Sequence, residues 1–263
     1  MRAIVTGAAS GIGRAVAQRL CSDAQQRGES PAQLLLVDIN QENLEAVAQE
    51  LREQGAQAEL YVGDLTDESV PAKVVAAAQS AFGGLDALIS NAGIISRAFL
   101  LDLSVDDYQR SFDINTRATW LLGKAAHPLL AQSKGCIVAT ASVSGHHPTP
   151  PLGAYSASKA ALIMLIQQMA IEWGPDGIRC NTVSPGSTHT AMTDTRYSDP
   201  EQRAAAAQRN PLHTVGSPEN QAAAIAFLAS SDASYITGTD MLVDGGLHVM
   251  TMPASGMGDP WNR

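Results

Sequence analysis

At 263 residues, 45% hydrophobic and 16% charged, the chain has the length and apolar content to bury a full α/β core, which excludes a disordered chain. A formal net charge of −9 and a pI near 5.0 argue against a nucleic-acid or anionic-membrane partner, which a basic surface would attract. Cys21, Cys136 and Cys180 are odd in number and widely spaced, with no metal-ligand pattern such as CxxC, so free thiols in a reducing cytoplasm are expected. "MRAIVTG" places one basic residue directly before a strand-like run, without a signal-peptide core, and no apolar stretch reaches the ~18–20 residues that span a bilayer.

In chain order, "AIVTG" (3–7) reads as a buried strand and "GIGRAVAQRL" opens a helix. "LLLVD" (34–38) is a second strand. The segment after it puts Leu44, Val47, Ala48 and Leu51 on one helical face, between an Asn40 N-cap and a Gly55 stop. "AELYVGD" and "LDALISN" are further strands, separated by the helix "ESVPAKVVAAAQSAF". A long helical region from Ser104 to about Ala131 precedes the strand "CIVATAS" (136–142). There follow a helix containing "YSASK", the strand "IRCNTVS" (178–184), an irregular polar segment, and a helix capped by Ser217 with Pro218 at its first position. "DMLVDGG" is the last strand. Continuous apolar strands alternating with helices predict a parallel sheet covered on both faces, in one domain over 1–263.

Ligands of such sheets bind beyond the carboxyl ends of the strands, so the residues there decide the chemistry. Gly7, Gly11 and Gly13 in "TGAASGIG" form a turn through which backbone can approach a pyrophosphate at a helix N-terminus. Asp38 ends the second strand, where a carboxylate accepts from both hydroxyls of an adenosine ribose; the competing reading is a cap for the next helix. It lies 25 residues after Gly13, against a usual spacing of about 20, and the excess falls in the helix-to-strand connection "CSDAQQRGESPAQ". Tyr155 and Lys159 stand four apart on one helical face. Taken alone they are either ordinary surface neighbours or a phenol whose ionisation a cation assists.

With "GDLTD", "NAG" (91–93), Asn115, Ser142 with "YSASK", and "SPGSTHT" added, the chain resembles the short-chain dehydrogenase/reductase family along nearly its whole length. The resemblance implies a Rossmann-like, doubly wound α/β fold with a mostly parallel seven-stranded sheet, a lid at about 187–213 and a C-terminal tail at about 247–263. It implies a catalytic tetrad of Asn115, Ser142, Tyr155 and Lys159: Tyr155 as acid/base, with Lys159 and the nicotinamide charge moving its pKa toward working pH, Ser142 holding the substrate oxygen, and Asn115 holding a water. It further implies cofactor contacts from Ser10 and Ile12 in the glycine turn, from Asp64 and Leu65 around adenine, and from Asn91, Ala92 and Gly93 beside the ribose. Pro185, Gly186 and Thr188 fall at the nicotinamide, with Thr188 on its carboxamide. A homotetramer is implied through the helices at about 104–131 and 155–173. Ala118 replaces a glycine that often follows the asparagine, which leaves the chemistry untouched.

These readings converge on an NAD-dependent dehydrogenase of a secondary alcohol, with Asp38 opposing the 2′-phosphate of NADP. The alternatives are a 3-oxoacyl thioester reductase and, from a different class, a silent dinucleotide-binding regulator. "GIRCNTVSPGSTHTAM" and the Ser142–His146–Pro148 spacing resemble the 2,3-dihydro-2,3-dihydroxybenzoate dehydrogenase branch, which implies a cyclic diol or another cyclic or aryl alcohol. Thr149 stands where that branch would place an arginine on the substrate carboxylate, leaving Arg196 or a protonated His146 to serve. His146 and His147 either line the substrate cavity or are solvated, and His189, Met192 and Arg196 lie in the lid, with Ser142, His146, Met192 and Arg196 as the substrate candidates.

Overall fold

The computed structural model describes residues 1–250. Seven parallel strands form one sheet in the order β3-β2-β1-β4-β5-β6-β7. They are β1 (Arg2–Thr6), β2 (Gln33–Asp38), β3 (Gln57–Val62), β4 (Ala87–Ser90), β5 (Cys136–Thr140), β6 (Arg179–Pro185) and β7 (Asp240–Val243). The helices are α1 (Gly11–Gln26), α2 (Gln41–Glu53), α3 (Val70–Phe82), α4 (Val105–Phe112), α5 (Ala118–Ser133), α6 (Tyr155–Trp173), α7 (Asp194–Tyr197), α8 (Pro200–Ala207) and α9 (Pro218–Ala229).

Both sheet faces are covered because successive side chains of each strand point to opposite sides. Ala3, Val5, Leu34 and Leu36 meet the layer built from α1, α2 and α9. Ile4, Leu35, Val37 and Leu88 meet the layer built from α3, α5 and α6. This is why the strands read as unbroken apolar runs. Local caps also follow the sequence: the Asn40 side chain accepts from Asn43 N at 3.0 Å, and Ser217 with Asn220 forms a capping box at the start of α9.

The helical region expected from Ser104 is interrupted. Between α4 and α5, Asp113–Arg117 forms a turn of π-helix, which shifts the register of every residue after it. The polar segment expected as irregular contains a 3₁₀ turn (Ala191–Thr193) and the short helices α7 and α8. Of the C-terminal tail, Leu247–Val249 is a 3₁₀ turn, and 251–263 lie outside the described residues. Among the described residues no helix is long and apolar enough to cross a membrane.

The chain runs outward from β1 to β3, then returns to β4 on the other side of β1. The carboxyl ends of β1 and β4 therefore splay their connections apart, and a crevice opens between them. At the opposite ends, Asp86 ties the same two strands together: its carboxylate accepts from Arg2 N at 2.7 Å and pairs with the Arg2 guanidinium.

Burial pushes the Asp86 carboxyl up, but the hydrogen bonds and charge of Arg2 outweigh it and hold the group below its ordinary range. A carboxyl depressed on folding stabilises fully above its unfolded value, near 3.9, and loses that contribution as pH falls through the folded value. Asp86→Asn is therefore expected to lower the melting temperature at neutral pH and to flatten its decline below about pH 4. Thermal melts by circular dichroism across pH check this; an unchanged acid limb contradicts it.

Candidate active site

A cavity of about 880 Å³ occupies the crevice. Its floor is the turn after β1. Gly7 has φ +66°, and a Cβ on Gly13 would lie 2.1 Å from the Gly7 carbonyl oxygen, so the turn closes onto α1 only with glycine at 13. Gly7, Ser10, Gly11 and Ile12 face the cavity, while Gly13 packs behind Gly7. The result is a side-chain-free cradle at a helix N-terminus, which suits a pyrophosphate.

Asp38 lines the same end of the cavity. Its Oδ2 accepts from Ala9 N at 3.1 Å and its Oδ1 from Asn40 N at 3.0 Å. Helix α2 is capped by Asn40 rather than by Asp38, and a carboxylate with two bonds made retains lone pairs for ribose hydroxyls. Ile39, which follows it, is exposed and apolar, and Arg14 on α1 is paired with Glu50. Asp64 and Leu65 line the cavity beyond β3, and Asp64 also fixes its own turn by accepting from Thr66 N at 2.9 Å.

Asn91, Ala92 and Gly93 form the wall between β4 and β5. Thr6 Oγ1 accepts from both Asn91 N and Ala92 N, each at 3.0 Å. Asn91 Nδ2 donates to Thr6 O at 3.2 Å, and Asn91 Oδ1 accepts from Thr140 Oγ1 at 2.9 Å. Three strand ends are thus clamped by one amide. Thr6 opens the quoted "TGAASGIG" stretch, whereas Thr140 carries no motif signal and is pointed to only by its position at a strand end.

Lys159 is buried, and its Nζ donates to Thr140 O at 2.7 Å. The ammonium lies 5.8 Å from the centre of the Tyr155 ring. Burial pulls the Lys159 pKa down to about 8. Burial likewise pushes the Tyr155 phenol up, opposed by a hydrogen bond from Ser142, which favours the phenolate. Desolvation of the phenol outweighs that bond, and the ammonium donates to a backbone carbonyl.

Tyr155 and Lys159 line the cavity. Ser142 sits just behind its wall at the start of the 3₁₀ turn Val143–Gly145, where its hydroxyl accepts from Ser144 N at 3.1 Å. Asn115 is in the π-helical turn, buried behind Gly93. Its Oδ1 accepts from Ile94 N at 2.9 Å, and its Nδ2 donates to Ile94 O at 3.1 Å and to Ser158 Oγ at 3.0 Å. Both amide N–H groups are used, so the side chain locks the 93–94 segment to α6. Ser158 Oγ in turn donates to Tyr155 O at 2.8 Å.

Pro185, Gly186 and Thr188 line the far side of the crevice. Thr188 Oγ1 accepts from the buried Gln221 Nε2 at 3.1 Å, a partner on α9 that no motif singles out. Met192 and Arg196 also reach the cavity, as do His147, Thr149 and His248. His146 does not. Its Nε2 meets Asp240 Oδ2 at 2.6 Å at the start of β7, and Asp240 Oδ1 also accepts from Ser184 Oγ at 2.8 Å. The expectation that His146 contacts substrate is corrected: the adjacent His147 takes the cavity side. Thr149 Oγ1 is 2.9 Å from Ser144 Oγ, bracing the loop before Tyr155.

A family model described as "Enoyl-(Acyl carrier protein) reductase" matches residues 7–248. "L-rhamnose 1-dehydrogenase (NAD(P)(+))" of Sphingomonas sp. (strain SKA58) is 37% identical over 256 residues, 94% of this chain and 95% of that protein. "3beta-hydroxysteroid dehydrogenase 1" of Eggerthella lenta is 33% identical over 246 residues, 93% of this chain and 92% of that protein. The crystal structure of a short-chain type dehydrogenase/reductase from Mycobacterium marinum superposes with a TM-score of 0.86 at 32% identity, covering 96% of each chain. With the cradle, the strand-end clamp and these matches over nearly its full length, the chain belongs to the short-chain dehydrogenase/reductase family of oxidoreductases, whose cofactor is a nicotinamide dinucleotide.

Proposed function

We propose that this chain is an NAD-dependent dehydrogenase moving a hydride between a secondary alcohol and the cofactor, with Tyr155 as the proton acid/base. The observation that carries the reading is that Tyr155 and Lys159 share one cavity wall, with Ser142 hydrogen-bonded to the Tyr155 phenol behind it. When bound, the dinucleotide supplies the hydride acceptor. Gly7 to Gly13 hold its pyrophosphate, Asp38 its adenosine ribose, Asp64 and Leu65 its adenine, Asn91 to Gly93 its middle, and Pro185 to Thr188 its nicotinamide. Ser142 holds the alcohol oxygen while Tyr155 takes the hydroxyl proton. Lys159 keeps a positive charge within reach of the phenolate. The family model's acyl-carrier description favours a thioester reductase as the second reading. Against it stand Asp38 and the neighbouring Ile39, which offer a 2′-phosphate repulsion and no cation.

The relatives named for rhamnose and for a hydroxysteroid are named for oxidation of a hydroxyl on a ring carbon, which supports a cyclic substrate. The silent-regulator reading has no support from a cavity that keeps all these polar groups assembled. The exposed Trp120, Met164 and Ile171 on α5 and α6 support association into a homotetramer through those helices. Three buried, unpaired cysteines support a cytoplasmic setting.

Tyr155→Phe is expected to cut kcat by about 10²–10⁴-fold while NADH binding, read by fluorescence, stays within a factor of about three; substantial residual turnover contradicts the assignment. Lys159→Ala should damage both. NAD should exceed NADP in kcat/KM by about 10-fold or more, since a 2′-phosphate beside Asp38 brings like charges together at a cost on the order of 1–3 kcal/mol. Asp38→Ser should erase most of that gap. Equal or better efficiency of the wild-type enzyme with NADP overturns the NAD assignment.

A further inference from the structure

The cavity is lined by two carboxylates among the described residues, Asp38 and Asp64, and both sit at the ends of β2 and β3. Away from them the lining turns cationic. Arg97, Arg110, Arg196 and Arg209 all border it. None has a carboxylate or hydrogen-bond partner among the described residues, whereas Arg2, Arg14, Arg19, Arg27 and Arg117 are all ion-paired.

Two walls supply these groups. Arg97 precedes Ala98, which bridges to Leu152 in the loop just before Tyr155. Arg110 is brought alongside by its neighbour Ser111, whose Oγ is 3.5 Å from Ser96 Oγ. Facing them, Arg196 on α7 is half-buried, with its guanidinium carbon 5.5 Å from the centre of the buried Tyr197 ring. Arg209 follows α8, near the segment where Leu212 N donates to Gly245 O at 3.4 Å. A guanidinium stacked on a ring is held in place with its N–H edge free for an oxyanion. Four guanidinium groups border this one cavity, with no carboxylate partner among the described residues, on a chain of net charge −9. Their mutual repulsion is relieved when an anion binds between them.

We propose that the substrate end of this cavity is an anion site, and that the alcohol oxidised carries a carboxylate or phosphate group. Arg97 and Arg196 are its principal contacts from the two walls. The inference rests on the dehydrogenase reading, and it adds the charge of the substrate to it. The sequence offered Arg196 as a stand-in for a missing arginine at 149; the fold adds three more from segments distant in the chain.

The test is calorimetric titration of the enzyme–NADH complex with matched pairs: D-gluconate and gluconamide, cis-4-hydroxycyclohexanecarboxylate and its amide, glucitol 6-phosphate and glucitol. At least one anion is expected to bind about 10-fold or more tightly than its neutral partner, with the gap shrinking as salt is raised. A gap in the acid–amide pairs assigns a carboxylate; a gap in the phosphate pair assigns a phosphate. Arg97→Gln with Arg196→Gln should reduce the gap to about two-fold or less, and Arg110→Gln alone should reduce it in part, with NADH affinity retained. The proposal is overturned if no anion outbinds its neutral partner, or if the variants weaken NADH as much as the anion, which would place these cations on the dinucleotide phosphates. Anion binding without hydride transfer from any of these alcohols to NAD would keep the anion site and reject the dehydrogenase reading.

Discussion

An ammonium group removed from water with no carboxylate beside it is the constraint around which this structure is arranged. Lys159 is buried, its charge is met by the Thr140 carbonyl, and burial alone brings its pKa down to about 8. An isolated buried cation is costly, and a single carbonyl offsets only part of that cost. The site is therefore incomplete electrostatically in the protein alone. Tyr155 carries the complementary penalty, because its anionic form is disfavoured by the same desolvation. Ionising the phenol beside the ammonium relieves both groups together, which neither could achieve separately. On the proposed reading, the phenol and the lysine act as an acid–base pair through shared burial, not through adjacency.

Holding such a strained pair requires a rigid frame, and the frame is the switch point of the sheet. Asn91 joins Thr6 at the end of β1 to Thr140 at the end of β5, and Thr140 is the residue that receives Lys159. Asn115 repeats the device one layer out, tying Ile94 to Ser158, whose hydroxyl reaches back to the Tyr155 backbone. Each amide spends its bonds inside the protein. Their contribution is positional, and a π-helical turn is what rotates Asn115 inward to make it.

Much of this was legible in the order of residues. Strands buried on both faces declare themselves as continuous apolar runs, and with "LLLVD" ending in Asp38 the strand and its ligand-facing terminus are read together. The π-turn was not legible, since 104–131 has no glycine or proline before Gly123 to mark a break near 113. His146 misled for a different reason. Its partner Asp240 is 94 residues away, and a one-residue rotation in the loop after Ser142 decides whether His146 or His147 sees the cavity. Partnerships across such distances are fixed by strand order, which local pattern does not encode. The same holds for Thr140 and Gln221, each ordinary in its own segment.

The distribution of charge along the cavity gives the site a direction. Carboxylates mark the end formed by β2 and β3, and guanidinium groups without an ion-pair partner among the described residues mark the end beside Tyr155. On the proposed reading a dinucleotide lies along this axis with its adenosine ribose at Asp38, and an anionic alcohol is repelled from that end and drawn to the other. The two ligands are thereby sorted by charge before any close contact is made. The acidic surface of the chain does not oppose this, because beyond roughly one Debye length, about 8 Å at physiological salt, the more distant charges are screened and the guanidinium groups at the opening act alone. Local cations then decide what reaches the phenol. On this reading specificity is carried by residues that touch neither the hydride nor the proton: the strand ends position the chemistry, and the arginines contributed by α4, α7 and the loops select what is presented to it.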